Sequence, residues 1–335
     1  MRIAQYQLVT AVFVPAFAAL APTPAVHAAD GLTGVSSVRA LADDRTLGAS
    51  QEATISRFAE EAGRALSARK PSEDHLEAVR VDLMTPLSGG CTPAFARAYG
   101  ARLLEAFGEY DDDNRTPQQQ MIAFTVLAAT GSSASVLDLA ERVTDLDANA
   151  AAWKSMAMCQ ALSQGIAKAT TLDLAERNRS DLARMLGRIA SRVSPSANRH
   201  VMEGFVMLGG GDNEDIARRW ADVLKSLASR ETLAAEDLLS MEGATVKLRS
   251  VLLNPANRET RDAREAAAKA LAPALLEFHA RAADHLDSKE AGNDRLRAHL
   301  GRVDQVLPFL GTRGVSLGEL WDAKDTEGLR AVSSN

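Results

Sequence analysis

The sequence predicts an all-α chain made of stacked helical hairpins, and three observations predict it. Apolar residues recur at helical spacing along most of the chain, while the alternation of a half-buried strand is essentially absent. The hexamer Leu137-Asp138-Leu139-Ala140-Glu141-Arg142 occurs again, letter for letter, at Leu172 to Arg177, 35 positions on. A period of that length is the mark of helix-turn-helix units that bury their apolar faces by stacking. A second phrase repeats with it: Met121, Phe124, Leu127, then Met156, Cys159, Leu162, and again Met202, Phe205, Leu208. Three-residue steps of this kind lay one buried face along the first helix of each unit. The expectation is helical hairpin repeats stacked as a right-handed α-solenoid, like HEAT or tetratricopeptide arrays in general architecture. The sets of Trp, Gly, Tyr and Pro, or of Pro and Asp-Val-Arg, that mark those families are not met.

In chain order, Met1-Arg2, the apolar run Leu8 to Leu20 and the small-residue site Val26-His27-Ala28 read as an export signal over 1–28, with the mature chain opening at Ala29. The apolar run is too short for a stable membrane span, so no transmembrane segment is expected once the signal is removed. The chain is then periplasmic or secreted. Residues 29–49 are small, polar and aperiodic, a flexible N-terminal segment.

The repeat domain is expected over 50–310, with its clearest units at 117–151, 152–193 and 195–229. Ile55, Phe58, Ala59, Ala62 and Leu66 share one helix face, and Pro71-Ser72-Glu73 opens a second helix carrying Leu76, Val79 and Leu83. Thr92-Pro93 and Thr116-Pro117 start two more, since Thr caps a helix with its hydroxyl and Pro suits the first helical position. Tyr110-Asp111-Asp112-Asp113-Asn114 between them is a solvated acidic loop. It lacks the glycine and distal Glu of a calcium-binding loop. Gly209-Gly210-Gly211 reads as a helix stop and a turn, followed by an Asp cap. Helices follow at about 234–253, 258–286, with Pro273 as a kink or boundary, and 293–310. In the tail, 311–335, Leu317, Leu320 and Trp321 share one face of a short helix that either caps the array or docks elsewhere.

Composition narrows the function. The formal charge is −6, or −7 without the signal, which carries Arg2 and no acid. That is the wrong sign for a nucleic-acid partner. Aromatics are 4% of the chain, too few for a sugar-binding cleft. No P-loop, GxSxG, HExxH or CxxCH occurs, and no cofactor or metal is expected. His75, His200, His279, His285 and His299 have no pair at ligand spacing and are expected on the surface. Fold contacts with Glu277, Asp284 or Asp287 would be needed to build a site from them. Cys91 and Cys159 are expected to form a disulfide, because Cys159 stands where sister units carry Phe and leaves room beside it. Closing the 68 residues between them would stabilise by roughly 4 kcal/mol.

The pairs Asp138/Arg142, Asp173/Arg177 and Asp215/Arg219 lie four apart, acid first, the better order on a helix. Stacking would align them as an interaction row for a protein or peptide. The expected function is an exported, non-catalytic scaffold. The alternative is an all-α hydrolase or lyase acting outside the cytoplasm through gathered acids and histidines.

Overall fold

A computed structural model of the chain describes residues 31–147, 150–172, 174–253, 258–286 and 293–334. The expected signal, 1–28, lies outside the described residues. Among the described residues every regular element is a helix and none is a strand.

The chain opens with helices α1 (Val35–Ala40), α2 (Ala49–Leu66), α3 (Glu73–Met84) and α4 (Pro93–Phe107). The segment before α2 is packed, which corrects the expectation of a flexible lead. Leu32, Val38 and Ala42 are buried, the Leu32 N–H donates to the Asp82 carboxylate at 2.6 Å, and Thr33 donates to Glu61. These anchors are long-range and the apolar residues too few to show a period. α2 and α4 approach closely at Gly63, where a Cβ would strike the Ala106 carbonyl.

Six helices follow: α5 (Pro117–Thr130), α6 (Ser133–Asp145), α7 (Ala152–Thr171), α8 (Glu176–Ala190), α9 (Pro195–Leu208) and α10 (Glu214–Ala228). Their starts are written locally. Thr92 and Thr116 cap α4 and α5 through their hydroxyls, with proline next, and Ser132 caps α6. After Gly209–Gly211 the cap of α10 is Asn213 rather than an aspartate. Packing runs between alternate helices: α3, α5, α7 and α9 touch in series, and α2, α4, α6, α8 and α10 form a second series against them.

Phe124, Cys159 and Phe205 are buried, as are Leu127, Leu162 and Leu208. The methionines of the same phrase divide. Met202 is buried and receives the Trp220 indole N–H on its sulfur at 3.3 Å, whereas Met121 and Met156 are 49% and 41% exposed. Three-residue steps drift around a 3.6-residue helix, so the first position of the phrase leaves the buried face on α5 and α7.

The two hexamers adopt different structures. Leu137–Arg142 lies within α6, but Leu172 is the C-cap of α7 and Ala175 the N-cap of α8. α5 ends on the left-handed Gly131 after 14 residues; 35 positions on stands Ile166, which does not stop a helix, and α7 runs to 20 residues. The second hexamer therefore straddles the junction of α7 and α8, with Leu172 ending one helix and Glu176 and Arg177 opening the next.

The chain finishes with α11 (Ala235–Leu239), α12 (Glu242–Leu253), α13 (Arg258–Ala280), α14 (Asn293–Asp304), α15 (Leu317–Asp322) and α16 (Thr326–Ala331). α13 packs on α10 and continues through Pro273; α11 and α12 pack on α9 and α14. Leu317 and Trp321 are buried and Leu320 is half-buried against the core. The Asp304 carboxylate fixes this helix by accepting from the backbone N–H of Leu317 and Gly318 at 2.7 and 2.8 Å. The tail helix thus closes the C-terminal end of the molecule and has no free apolar face for docking elsewhere.

The cysteines are unbonded, which corrects the expected bridge. Cys159 is deep in α7. Cys91, in the turn before α4, lies near Lys168, nine residues further along α7 and about 14 Å from Cys159 along its axis. A disulfide does not reach that far. Burial raises both thiols, Cys159 to about 12, so both stay protonated at neutral pH.

Arginines tie the second series together. Arg142 in the last turn of α6 donates to the Gly108 carbonyl that ends α4. Arg192, just past α8, donates to Thr144 and Leu146 at the end of α6. Arg230, just past α10, donates to Ser191 at the end of α8. Arg281, just past α13, donates to Ala228, Arg230 and Glu231 at the end of α10. Each helix end presents carbonyls without intrahelical partners and a partial negative charge. In every case an arginine from the next helix of the series satisfies them.

Candidate functional site

The acidic loop after α4 and the first hexamer meet. Tyr110 is buried; its hydroxyl donates to Asp138 at 2.5 Å, and burial together with the Asp138 charge raises it far above the usual phenol range. Arg142 holds Asp138 at 3.0 Å, pairs with Asp111, and lies over the Tyr110 ring with its guanidinium carbon 4.3 Å from the centroid. Lys154, in the first turn of α7 and only 7% exposed, donates to the Asp111 carbonyl at 2.5 Å and to Asp113 at 2.8 Å. The loop expected to be solvated is therefore clamped between α6 and α7 by two cations. Its own turn adds Asn114 on Asp112, and Gln120 of α5 donates to the Asp112 carbonyl.

The clamp leaves a cleft of about 860 Å3 between this loop, α6 and the start of α7. Trp153 stands half-buried on its wall, Glu141 and Asp145 stand exposed on its α6 side, and Gln120 lies at its base. Glu141 and Asp145 make no ion pair among the described residues. The Gln120 side-chain oxygen is buried with no hydrogen-bond donor. The cleft thus presents carboxylates and an indole face, a set suited to a donor-rich cation.

Of the expected row of Asp–Arg pairs, Asp138 with Arg142 is the one seen among the described residues. Asp138 and Arg142 pair as the spacing implies, but Arg142 is occupied by four groups of its own chain. Asp173 lies outside the described residues, and Arg177 is exposed in the first turn of α8. On α10 the ion pair is Glu214 with Arg218, not Asp215 with Arg219. Arg219 faces α8 instead, in a groove with Arg184 and Arg188.

The histidines are not surface groups throughout, a further correction. His279 and His299 are fully buried with their Nε2 atoms 3.1 Å apart. The Leu275 carbonyl, 2.7 Å from His279 Nδ1, requires a proton there. His279 Nε2 then accepts from His299, and His299 Nδ1 is left as a buried acceptor without a donor. Burial lowers both, His279 to about 4. Neither reaches a cleft. His285 does line one, of about 800 Å3, with Glu277 and Asp284. Yet Asp284 is held by Arg281 at 2.7 Å and by Arg330 at 3.3 Å, and His285 Nε2 donates to the Leu233 carbonyl at 2.8 Å. Among the described residues no three of His, Cys, Asp and Glu converge in metal-ligand geometry, and no helix is long and apolar enough to cross a membrane.

Sequence reasoning passed over Lys154 and Trp153. Lys154 had a signal: a lysine in the first turn of a helix opposes the macrodipole and needs a nearby carboxylate or carbonyl to hold it. Trp153 is one of three tryptophans in the chain and precedes it directly. No protein-family model matches this chain, and no curated protein or solved structure is detectably similar to it.

Proposed function

We propose that the chain is an exported, non-catalytic scaffold, its hairpins stacked as a right-handed α-solenoid, that binds a protein or peptide through the cleft beside Trp153. The observation that carries the reading is the clamp: Arg142 and Lys154 fix the loop from two helices and leave Glu141, Asp145 and Trp153 free at the rim. Preorganised rims of this kind bind at low ordering cost. The partner segment offers an Arg or Lys side chain, which the carboxylates neutralise and the indole face covers, a contact of about 0.5–2 kcal/mol. The alternative of a hydrolase or lyase has less support, because Asp284 and His285 are tied up and the His279–His299 pair is sealed.

The test is titration of the protein with a labelled cationic peptide followed by tryptophan fluorescence. Saturable binding that Trp153→Ala and Glu141→Gln/Asp145→Asn each weaken by about tenfold supports the reading. Wild-type affinity in both variants removes it. Export is tested separately by sequencing the N-terminus of protein collected outside the cytoplasm, where Ala29 is the expected first residue.

A further inference from the structure

The groove between α8 and α10 has a property that the cleft lacks, an excess of positive charge on an acidic chain. α8 carries Arg177, Arg179, Arg184 and Arg188 against Glu176 and Asp181, while the whole chain has formal charge −6. Arg184, Arg188 and Arg219 rim a depression of about 390 Å3 whose floor includes Gly187 and the nearly buried Val223 and Leu227. Arg184 is shared with Asp181 at 2.6 Å. Arg188 and Arg219 are exposed and have no ion-pair partner among the described residues, and Asp222 is the one acid on the rim.

Gly187 is the second observation. Glycine inside a helix is destabilising and normally answers a packing demand. Other helix glycines here meet one: a Cβ at Gly165 or Gly204 would stand 3.1 Å from a neighbouring side chain, and at Gly63 it would strike a backbone carbonyl. At Gly187 the nearest atom would be Val223 Cγ2 at 3.5 Å, an ordinary contact. The fold itself does not require glycine there. Its effect is to keep the groove floor open between the two unpaired arginines.

We infer that the α8–α10 groove around Gly187 is a docking surface for an acidic peptide segment of a partner protein. Charge complementarity selects the occupant: Arg188 and Arg219 offer planar guanidinium forks to carboxylates from two sides, and the apolar floor takes the intervening stem or backbone. This inference is independent of the cleft beside Trp153.

The test is fluorescence anisotropy of a labelled oligoglutamate peptide with the full chain at low ionic strength. Saturable binding that high salt abolishes is expected. Arg188→Ala/Arg219→Ala weakens it by about tenfold or more. Gly187→Ala weakens it while leaving the unfolding temperature equal or higher, which separates groove filling from loss of fold. Glu141→Gln/Asp145→Asn leaves it unchanged, so failure of the cleft reading and of this one are distinguishable. No saturable binding, or wild-type affinity in the double-arginine or Gly187→Ala variant, overturns the inference. Tighter binding of a single-stranded oligonucleotide of equal charge overturns the peptide as occupant.

Discussion

Lowering the pH from 7.5 to 5.5 should destabilise this protein through the His279–His299 pair, ahead of any carboxylate. The direction follows from the depressed values. His279 titrates at 6.5 when exposed in the unfolded chain and at about 4 in the fold. Above 6.5 neither state carries the proton, and the neutral pair retains its full stability. As the pH falls below 6.5 the unfolded chain takes up a proton that the fold refuses, and stability is lost progressively until about pH 4. For His279 alone the loss is about 1.4 kcal/mol at pH 5.5 and about 2 kcal/mol at pH 5. His299 shifts the same way through burial, its proximity to His279, and Arg302 and Arg295 on its own helix. His200, also lowered to about 4 by burial, adds to the effect. Glu77, Glu242, Asp284 and Asp322 are all held below their ordinary values, so their contributions fall away only at lower pH. Urea unfolding at pH 7.5, 6.5 and 5.5 measures the loss, and the same series on His279→Leu/His299→Leu isolates the pair. The variant should lose at least about 1.4 kcal/mol less over that interval than the wild type. Equal losses in the two proteins would refute the assignment.

Removing the clamp by Arg142→Ala leaves Asp111 and Asp138 facing each other and should cost about 2 kcal/mol in urea unfolding, with Arg142→Lys recovering only part. Gly63→Ala should destabilise by about 1–3 kcal/mol, since the Ala106 backbone cannot move aside, whereas Gly187→Ala should stabilise by about 0.5–1 kcal/mol. Thermal melts of the two variants therefore shift in opposite directions. Intact-mass analysis without reductant should find both thiols free. Iodoacetamide should modify half-buried Cys91 in the folded protein and reach buried Cys159 only after unfolding.

Helix positions were legible because they are written locally: Thr92-Pro93, Thr116-Pro117 and Ser72-Glu73 each combine a cap with a good first turn. The buried face was legible wherever the period was strong, as at Phe124, Leu127 and Phe205. What misled was identity of letters. The second hexamer reads like the first, but a helix continues until something stops it, and Ile166 stands where Gly131 stopped the earlier one. The site was half legible. Asp138 and Arg142 were visible as a pair, while their partners Tyr110, Asp111 and Gly108 lie about thirty residues away and no local pattern announces them. Spacing alone also assigned Arg219 to Asp215, although α8 lies beside it and the groove between them takes the side chain. The buried histidines were missed because a lone His carries no burial signal of its own, and here two of them share one hydrogen bond across twenty residues.

The arginines that close each helix end have a directional consequence. Arg142, Arg192, Arg230 and Arg281 each reach backwards, so a helix of the second series is finished only when its successor is in place. Losing the last segment uncovers one set of carbonyls at α10; losing the segment before it uncovers the set at α8, and so on toward α4. The exposed ends are of one kind wherever the chain is cut, and their repair always comes from the C-terminal side. A chain emerging from its N-terminus would therefore hold each newly formed helix provisional until the following one arrived, and unravelling would start from the far end. Hydrogen exchange at Thr144, Ser191 and Ala228 and their neighbours in C-terminally shortened chains would record that order directly.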